Sequence, residues 1–211
     1  MAAAERPGQP FLSGIVLAAG AARRMGQPKL LLPLDGRCVL QHVVDAAADS
    51  CLDALVIVLG AHAAAVRAAL ALPADRAVRV TVNADYAQGQ STSLRAGLAA
   101  LDPRTEAAAI LLGDQPGVDS AVIDAVAAAF VAAGAVAARP VYETPAGERV
   151  PGHPVFLHRR LWPALGVLRG DAGARTILAE HPAWVLEVPV AAPPPVDIDT
   201  PEDYDRTVSG M

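Results

Sequence analysis

Short apolar runs alternate along the chain with longer segments in which apolar residues recur at helical spacing. The runs lack alternating polar residues, as strands buried on both faces do, and most end at a glycine or a polar residue. They predict strands at Ser13–Ala19, Ala54–Leu59, Val78–Val82, Ala107–Leu112, Ala135–Arg139, Val155–Leu157 and Trp184–Val190. The helical spacing predicts helices at Val39–Ala48, Ala63–Leu72, Ser91–Leu101, Asp119–Ala133, Ala172–Glu180 and Pro201–Thr207.

Strands that alternate with helices in this way predict an α/β fold. We expect a single Rossmann-like domain over residues 13–207, built as a three-layer α/β/α sandwich with a mostly parallel sheet, after a flexible N-terminal tail over residues 1–12. The polar stretch Val141–Val150, with Pro145 and Gly147 at its tip, predicts a small hairpin or flap in the C-terminal third. Ligands bind beyond the carboxyl ends of the strands in such sheets, so the chemistry should lie in the segments that follow them.

The composition excludes several functional classes. Of 211 residues, 53% are hydrophobic and 18% are charged, which excludes a disordered chain. The net charge of −5 and the aromatic content of 4% argue against a nucleic-acid-binding protein. Cys38 and Cys51 are too few for a disulfide scaffold and lack the spacing of a zinc site. The sequence shows neither a signal peptide nor an apolar run of about 18 residues, so we expect a cytoplasmic protein with no membrane partner.

The chain has sixteen arginines but a single lysine, Lys29. Lys29 ends the segment after the first predicted strand, which starts at Gly20 and also carries Arg23 and Arg24. Small residues let backbone N–H groups approach a phosphate, and cations then neutralise its charge. The segment therefore predicts a phosphate-binding loop, in which an ammonium supplies a point charge that a planar guanidinium does not replace. A tight turn with incidental cations is the alternative.

Three aspartates follow the ends of predicted strands. Asp114 comes directly after the fourth strand, and Mg²⁺ shared with phosphates binds one or two such carboxylates. A turn-forming role for Asp114 is the alternative. Asp197 and Asp199 lie two residues apart near the C-terminus, so they share one side if the segment is extended. Either residue could supply a second metal ligand, although Asp199 is also suited to cap the last helix.

These motifs together resemble the nucleotidyltransferases of molybdenum cofactor biosynthesis, which are MobA-like NTP transferases of the nucleotide-diphospho-sugar transferase superfamily. The resemblance covers residues 14–204 and is carried by six segments in this order: LAAGAARRMGQPKLLLPLDG, NADYAQGQSTSLRAGL, LLGDQPGV, PGHPVFL, GDAGAR and DIDTPEDY. The Ala-Ala in LAAG is similar to the cytidylyltransferase branch of this family, whereas the guanylyltransferase branch tends to carry LAGG.

The resemblance implies roles for individual residues. Those implied to bind the nucleotide are Leu17, Ala18, Ala19, Gly20, Arg24, Lys29, Ser93 and Gly113. Those implied in catalysis are Lys29, Arg24 and Asp114. The implied metal ligands are Asp114 and Asp199, with Asp197 as the second choice for the latter. Those implied to bind the acceptor are Gly152, His153, Gly170, Asp171 and Arg175, and a structural turn is the alternative role for His153. Residues 13–120 would form the nucleotide-binding half and residues 135–200 the acceptor-binding half.

The implied reaction transfers CMP from CTP to the terminal phosphate of molybdopterin and releases pyrophosphate, with Mg²⁺ or Mn²⁺ as the cofactor. The implied partners are these small molecules and, transiently, a molybdenum hydroxylase or its maturation chaperone. Two alternatives stay open. One is another cytidylyl-, guanylyl- or sugar-phosphate nucleotidyltransferase, and the other is a molybdopterin carrier without catalytic activity.

Overall fold

The computed structural model describes residues 8–22 and 25–210. The strands in these residues are β1 Leu12–Ala18, β2 Pro33–Leu34, β3 Arg37–Cys38, β4 Ala54–Leu59, β5 Ala77–Val82, β6 Ala107–Leu112, β7 Ala137–Glu143, β8 Arg149–Pro151, β9 Val155–His158 and β10 Val185–Pro189. The helices are α1 Val39–Ala48, α2 Ala63–Ala69, α3 Gln90–Ala99, α4 Ser120–Ala133, α5 Trp162–Gly166, α6 Ala174–Glu180 and α7 Pro201–Gly210.

Most of the strands form one mixed, mainly parallel sheet. Its order is β10-β7-β9-β6-β1-β4-β5, and β8 pairs with β7 at the side. Strands β6, β1, β4 and β5 are parallel neighbours, whereas β9 runs antiparallel to both β6 and β7. After β1 the chain first forms β4 on one side of β1, and later it forms β6 on the other side of β1. The carboxyl ends of β1 and β6 therefore border the crevice in which sheets of this kind bind ligands.

Helices cover both faces of the sheet because its side chains alternate between two cores. Val16 belongs to a core that also contains residues of α1, α2 and α4. Its neighbour Ile15 belongs to the opposite core, with residues of α3, α5 and α6. Both side chains are fully buried. The predicted three-layer α/β/α sandwich is thus confirmed. No helix in the described ranges is long and apolar enough to cross a membrane.

Several predicted bounds are confirmed and others are corrected. The helix Val39–Ala48 and the strand Ala54–Leu59 have the predicted bounds. The strand predicted to end at Arg139 continues to Glu143, because this part of β7 pairs with β8 in the predicted hairpin. Gly147, at the tip of that hairpin, has a φ of 80° and donates its N–H to the carbonyl of Thr144. Of the predicted tail, residues 1–7 lie outside the described residues and residue 12 already belongs to β1.

A third, smaller core brings the C-terminal segment to the crevice. Ile198 is fully buried there against Met25, Leu32, Leu34 and Val39, which come from the loop after β1 and the start of α1. Burial of an isoleucine side chain contributes roughly 1.5–3 kcal/mol. This contact therefore holds residues on either side of Ile198 close to the end of β6.

Candidate active site

The side chain of Lys29 joins two aspartates that lie far apart in the sequence. Its Nζ is 2.5 Å from Oδ2 of Asp114 and 2.7 Å from Oδ1 of Asp199. Lys29 begins a 3-10 turn after the β1 loop, Asp114 follows β6, and Asp199 precedes α7. Three residues assigned to one site from the sequence thus meet at the β1–β6 crevice.

The two carboxylates keep the Lys29 ammonium charged although it is largely buried. Lys29 is 9% exposed. Burial lowers the pKa of an amine, but the charges and hydrogen bonds of Asp114 and Asp199 outweigh this effect and raise the pKa of Lys29. The Asp199 side chain is 51% exposed and that of Asp114 21% exposed, so ligands can reach this charged group from solvent.

The C-terminal segment places Asp197 and Asp199 on different partners. The N–H of Ile198 donates to the carbonyl of Asp114 at 3.1 Å, and Gln115 Nε2 donates to Oδ1 of Asp197 at 2.7 Å. The N–H of Asp199 donates to the carbonyl of Asp197, as in a three-residue turn. The segment therefore turns at this point instead of running extended, and the two carboxylates contact different side chains.

Asp199 is not the residue that caps the last helix. Thr200 Oγ1 accepts a hydrogen bond from the N–H of Asp203, and Asp203 Oδ2 accepts one from the N–H of Thr200. This reciprocal pair is a capping box that begins α7. The Asp199 carboxylate is thus left to contact Lys29.

The carboxylates of Asp114 and Asp199 fit a divalent metal ion. Each directs one oxygen to a common cation, the Lys29 ammonium, so they can share one positive centre. Mg²⁺ and Mn²⁺ prefer such oxygen ligands and commonly take only one or two from the protein. In the described part of the chain, no three His, Cys, Asp or Glu side chains are arranged to hold a metal alone. Phosphate and water oxygens would therefore complete the coordination.

The start of the loop after β1 is packed closely against the end of β6. The N–H of Gly113 donates to the carbonyl of Leu17 at 2.9 Å. A Cβ atom on Gly113 would lie 2.9 Å from the Leu40 side chain and 3.1 Å from that carbonyl, so a larger residue would require both neighbours to shift. Ala18 is 2% exposed and packs into the core, which leaves its backbone rather than its side chain for a ligand.

A small pocket of about 180 Å³ opens beside this loop. Its lining residues are Leu17, Ala19, Gly20, Tyr86, Gln90, Ser93, Leu112 and Asp114. A Cβ atom on Gly20 would meet no atom within 4 Å, so this glycine borders open space. Ser93 is buried, and its hydroxyl accepts a hydrogen bond from Asn83 Nδ2 at 3.0 Å. Several residues expected to bind the nucleotide are therefore brought together here.

A larger cavity of about 630 Å³ adjoins the small pocket and shares Leu17, Gln90 and Leu112 with it. Residues with polar or charged groups in its lining are Gln90, Gln115, Arg139, Tyr142, His153, Arg175 and Asp197. Apolar residues in its lining include Leu94, Ile110, Val155 and Leu178. The cavity therefore combines an apolar floor with a few polar groups, as small-molecule sites commonly do.

Tyr142 fixes the Gly152–His153 segment in the wall of this cavity. Its hydroxyl donates to the carbonyl of His153 at 2.7 Å, and a Cβ atom on Gly152 would lie 2.7 Å from its ring. Burial lowers the pKa of His153 to about 4, and the charge of Asp114, which raises this pKa, offsets only part of the effect. The imidazole is therefore neutral at neutral pH.

Other predicted site residues lie elsewhere. Gly170 and Asp171 are not among the residues that line the large cavity. The carbonyl of Gly170 instead accepts a hydrogen bond from the N–H of Ser91 at the start of α3. Arg175 does line the cavity. Arg24 lies outside the described residues.

Sequence reasoning missed Arg139 and Tyr142. Arg139 was assigned to the end of a strand and Tyr142 to the flap, and neither assignment suggested a cavity. Gln115 lies in the LLGDQPGV segment, which predicts no role for it. Its place directly after Asp114 is the one sequence signal that could have identified it.

The Rossmann-like sheet, with a lysine and two carboxylates at its crevice, is the arrangement expected of a nucleotidyltransferase. Residues 14–184 match the family model of the MobA-like NTP transferase domain, and the chain belongs to this family.

Individual relatives cover almost the whole chain. A nicotine blue oxidoreductase of Paenarthrobacter nicotinovorans is 33% identical over 206 residues, which cover 96% of this chain and 95% of that protein. The purine catabolism protein PucB of Bacillus subtilis is 31% identical over 210 residues, which cover 96% of this chain and 98% of that protein. The manganese complex of Rv0371c from Mycobacterium tuberculosis is 33% identical, with a TM-score of 0.76 over 95% of this chain and 99% of that chain.

Proposed function

We propose that this nucleotidyltransferase transfers CMP from CTP to the terminal phosphate of molybdopterin, in the cytoplasm and with Mg²⁺ or Mn²⁺. The observation that carries the proposal is the contact of Lys29 with both Asp114 and Asp199 at the crevice between β1 and β6. That arrangement offers a fixed cation and two carboxylates that can bind a metal, beside a pocket of about 180 Å³.

The small pocket and the charged group next to it support binding of the nucleotide. Ala19 and Gly20 would bring the backbone close to the nucleotide, while Ser93 lies in the same wall. Neither Asp nor Glu lies in this pocket other than Asp114, so the described lining offers no second carboxylate for the donor groups of guanine. This composition favours a cytosine base, as does the LAAG segment.

The chemical step is an attack by a phosphate oxygen of the acceptor on the α-phosphate of CTP, with pyrophosphate as the leaving group. The nucleophile is already an anion, so we assign no general base. Catalysis would come from positioning and from stabilisation of negative charge. Lys29 would supply a charge donor that folding has already oriented. Arg24 would assist it from the same loop.

Asp114 and Asp199 would hold the metal ion, and the manganese complex of a relative supports a divalent metal as the cofactor. A bound Mg²⁺ or Mn²⁺ supplies charge neutralisation to the phosphates. Since Lys29 contacts the same two carboxylates, its ammonium would exchange part of this contact for a substrate phosphate. Asp197 would face the acceptor cavity rather than the metal, because it contacts Gln115 and lines that cavity.

Incubation with labelled CTP, Mg²⁺ and candidate acceptors tests the proposal. Pyrophosphate release that depends on molybdopterin supports it. Release that depends on a sugar phosphate or another phosphate instead supports a different transferase of the family. Tight binding of molybdopterin without any release supports the carrier alternative. A transient contact with a molybdenum hydroxylase or its chaperone would be the route by which the product leaves.

A redox function is the second candidate, because a relative of nearly the same length is named an oxidoreductase. The lysine and the paired carboxylates argue for transfer chemistry, since hydride transfer needs no metal-binding carboxylates. Oxidation of NADH or NADPH in the presence of a quinoid dye, with no CMP transfer to any acceptor, would favour the redox function.

A further inference from the structure

Arg139 lies in the wall of the large cavity, far from the reacting groups. We infer that Arg139, together with Arg175, binds the far end of the acceptor, and that the site selects acceptors whose far end is anionic or rich in hydrogen-bond acceptors. This inference rests on the proposed function and names a residue that determines its acceptor specificity.

Arg139 keeps most of its donors unused in the folded chain. Its Nη2 donates to Oε1 of Glu187 at 2.7 Å, and its Nε is buried without a hydrogen-bond partner. A guanidinium has five N–H donors, and an unpaired buried donor in a cavity wall is available to bind a ligand. Arg175, in the same lining, makes no ion pair with any described residue. Two guanidinium groups thus border one cavity, and Asp197 is the single carboxylate in its lining.

The pairing of the strands fixes where Arg139 lies. On β9, Phe156 pairs with both Ala109 of β6 and Ala138 of β7. Arg139 is therefore level with Ile110, two strands away from β6, which is roughly 10 Å across the sheet. Ile110 itself lies four residues before Asp114. An acceptor that contacts both the reacting centre and Arg139 would therefore lie across β9, the strand between β6 and β7.

The cavity surface between the reacting centre and Arg139 is apolar. Arg139 points to the same face of β7 as Ala137, which belongs to the core covered by α3, α5 and α6. Side chains of this core in the cavity lining are Leu94, Ile110, Val155 and Leu178. The acceptor class that fits is therefore a phosphate monoester with a flat or apolar body and an electron-rich far end.

Equilibrium binding without nucleotide tests the inference apart from catalysis. Molybdopterin and its dephosphorylated form are titrated against the wild-type chain and Arg139→Gln, and binding is followed by tryptophan fluorescence. We expect Arg139→Gln to weaken binding of both compounds by the same factor, roughly tenfold or more. Arg139→Lys should recover part of the loss, because it keeps the charge but not the planar fork.

The matched control is Arg149→Gln. Arg149 lies 3.8 Å from the same Glu187 but is not part of the cavity lining, so its loss should change binding less than twofold. Arg175→Gln gives an independent second variant, and thermal unfolding checks that each variant folds. Equal binding by wild type and Arg139→Gln would overturn the inference. So would a loss that disappears with the dephosphorylated compound, because Arg139 would then contact the reacting phosphate.

The outcomes also separate this inference from the proposed function. Binding that depends on Arg139 without CMP transfer would contradict only the function. CMP transfer to molybdopterin that does not depend on Arg139 would contradict only the inference. Failure of the wild-type chain to bind molybdopterin would contradict both.

Discussion

The ammonium of Lys29 lies 2.7 Å from a carboxylate oxygen of Asp199, although 170 positions separate the two residues in the chain. The C-terminal segment is therefore part of the same charged group as the loop after β1. Burial of Ile198, next to Asp199, fixes this contact by packing rather than by charge alone. The site thus depends on both ends of the domain.

Replacement of Lys29 tests the role of its fixed charge. We expect Lys29→Ala to lower kcat for CMP transfer by roughly 100-fold, about 3 kcal/mol, the usual effect of removing one oriented charge donor. Lys29→Arg should recover only part of the rate, because its fork geometry differs from an ammonium. Arg37→Ala, which removes an exposed cation paired with Asp45, is the control and should leave kcat unchanged. Near-normal turnover by Lys29→Ala at saturating CTP would contradict the assignment.

The metal-binding roles of the aspartates can be separated by titration with Mn²⁺. Asp114→Asn and Asp199→Asn should each weaken Mn²⁺ binding by roughly tenfold or more. Asp197→Asn should have a much smaller effect, because that carboxylate contacts Gln115. Electron paramagnetic resonance measures the free Mn²⁺ directly. Equal weakening by all three variants would mean that the metal lies among all three carboxylates. A large loss of stability in Asp199→Asn is not expected, since Thr200 and Asp203 form the cap of α7.

Two glycines near the small pocket beside the β1 loop should respond differently to alanine. A Cβ atom on Gly60 would lie 2.6 Å from the carbonyl of Ala19, so Gly60→Ala should destabilise the fold by about 1–3 kcal/mol. Gly20 borders open space, so Gly20→Ala should leave the melting temperature unchanged and raise KM for CTP. Thermal unfolding and steady-state kinetics measure the two effects. An unchanged KM in Gly20→Ala would argue against a nucleotide at this point.

Protonation of His153 should make the fold less stable in mild acid. Burial lowers the pKa of His153 to about 4 in the folded chain, against an ordinary value near 6.5. The unfolded chain therefore binds a proton more readily, and stability is lost as the pH falls through this interval. Between pH 7 and pH 5 the loss should be about 2 kcal/mol. Urea unfolding of wild type and His153→Asn at both pH values tests this, and the same pH dependence in both proteins would contradict it.

The fold class was predictable because buried strands and amphipathic helices leave direct patterns in the sequence. The run Ala107–Leu112 is apolar throughout and ends at a glycine, and the strand has those bounds. The bounds were harder to predict where pairing decides them. Strand β7 extends past Arg139 because β8 folds back onto it, and the polar hairpin pattern indicates this pairing but not that its first strand continues β7.

The members of the candidate site were more predictable than their contacts. Lys29, Asp114 and Asp199 each follow a strand or precede a helix in a recognisable segment, so their convergence could be expected. The turn that separates Asp197 from Asp199 depends on one backbone hydrogen bond. Arg139 reaches the cavity only because β9 lies between β6 and β7, which is a property of the sheet order and not of the local sequence.

A competition between nucleotides tests directly whether this chain transfers CMP. The wild-type chain is incubated with Mg²⁺, molybdopterin and equal concentrations of CTP and GTP, and the dinucleotide product is identified by mass spectrometry. Buried polar groups that fit one base discriminate strongly against another, so we predict the cytosine dinucleotide with one pyrophosphate per product. Formation of the guanine dinucleotide would contradict the choice of CTP, and absence of any product with either nucleotide would contradict the transfer itself.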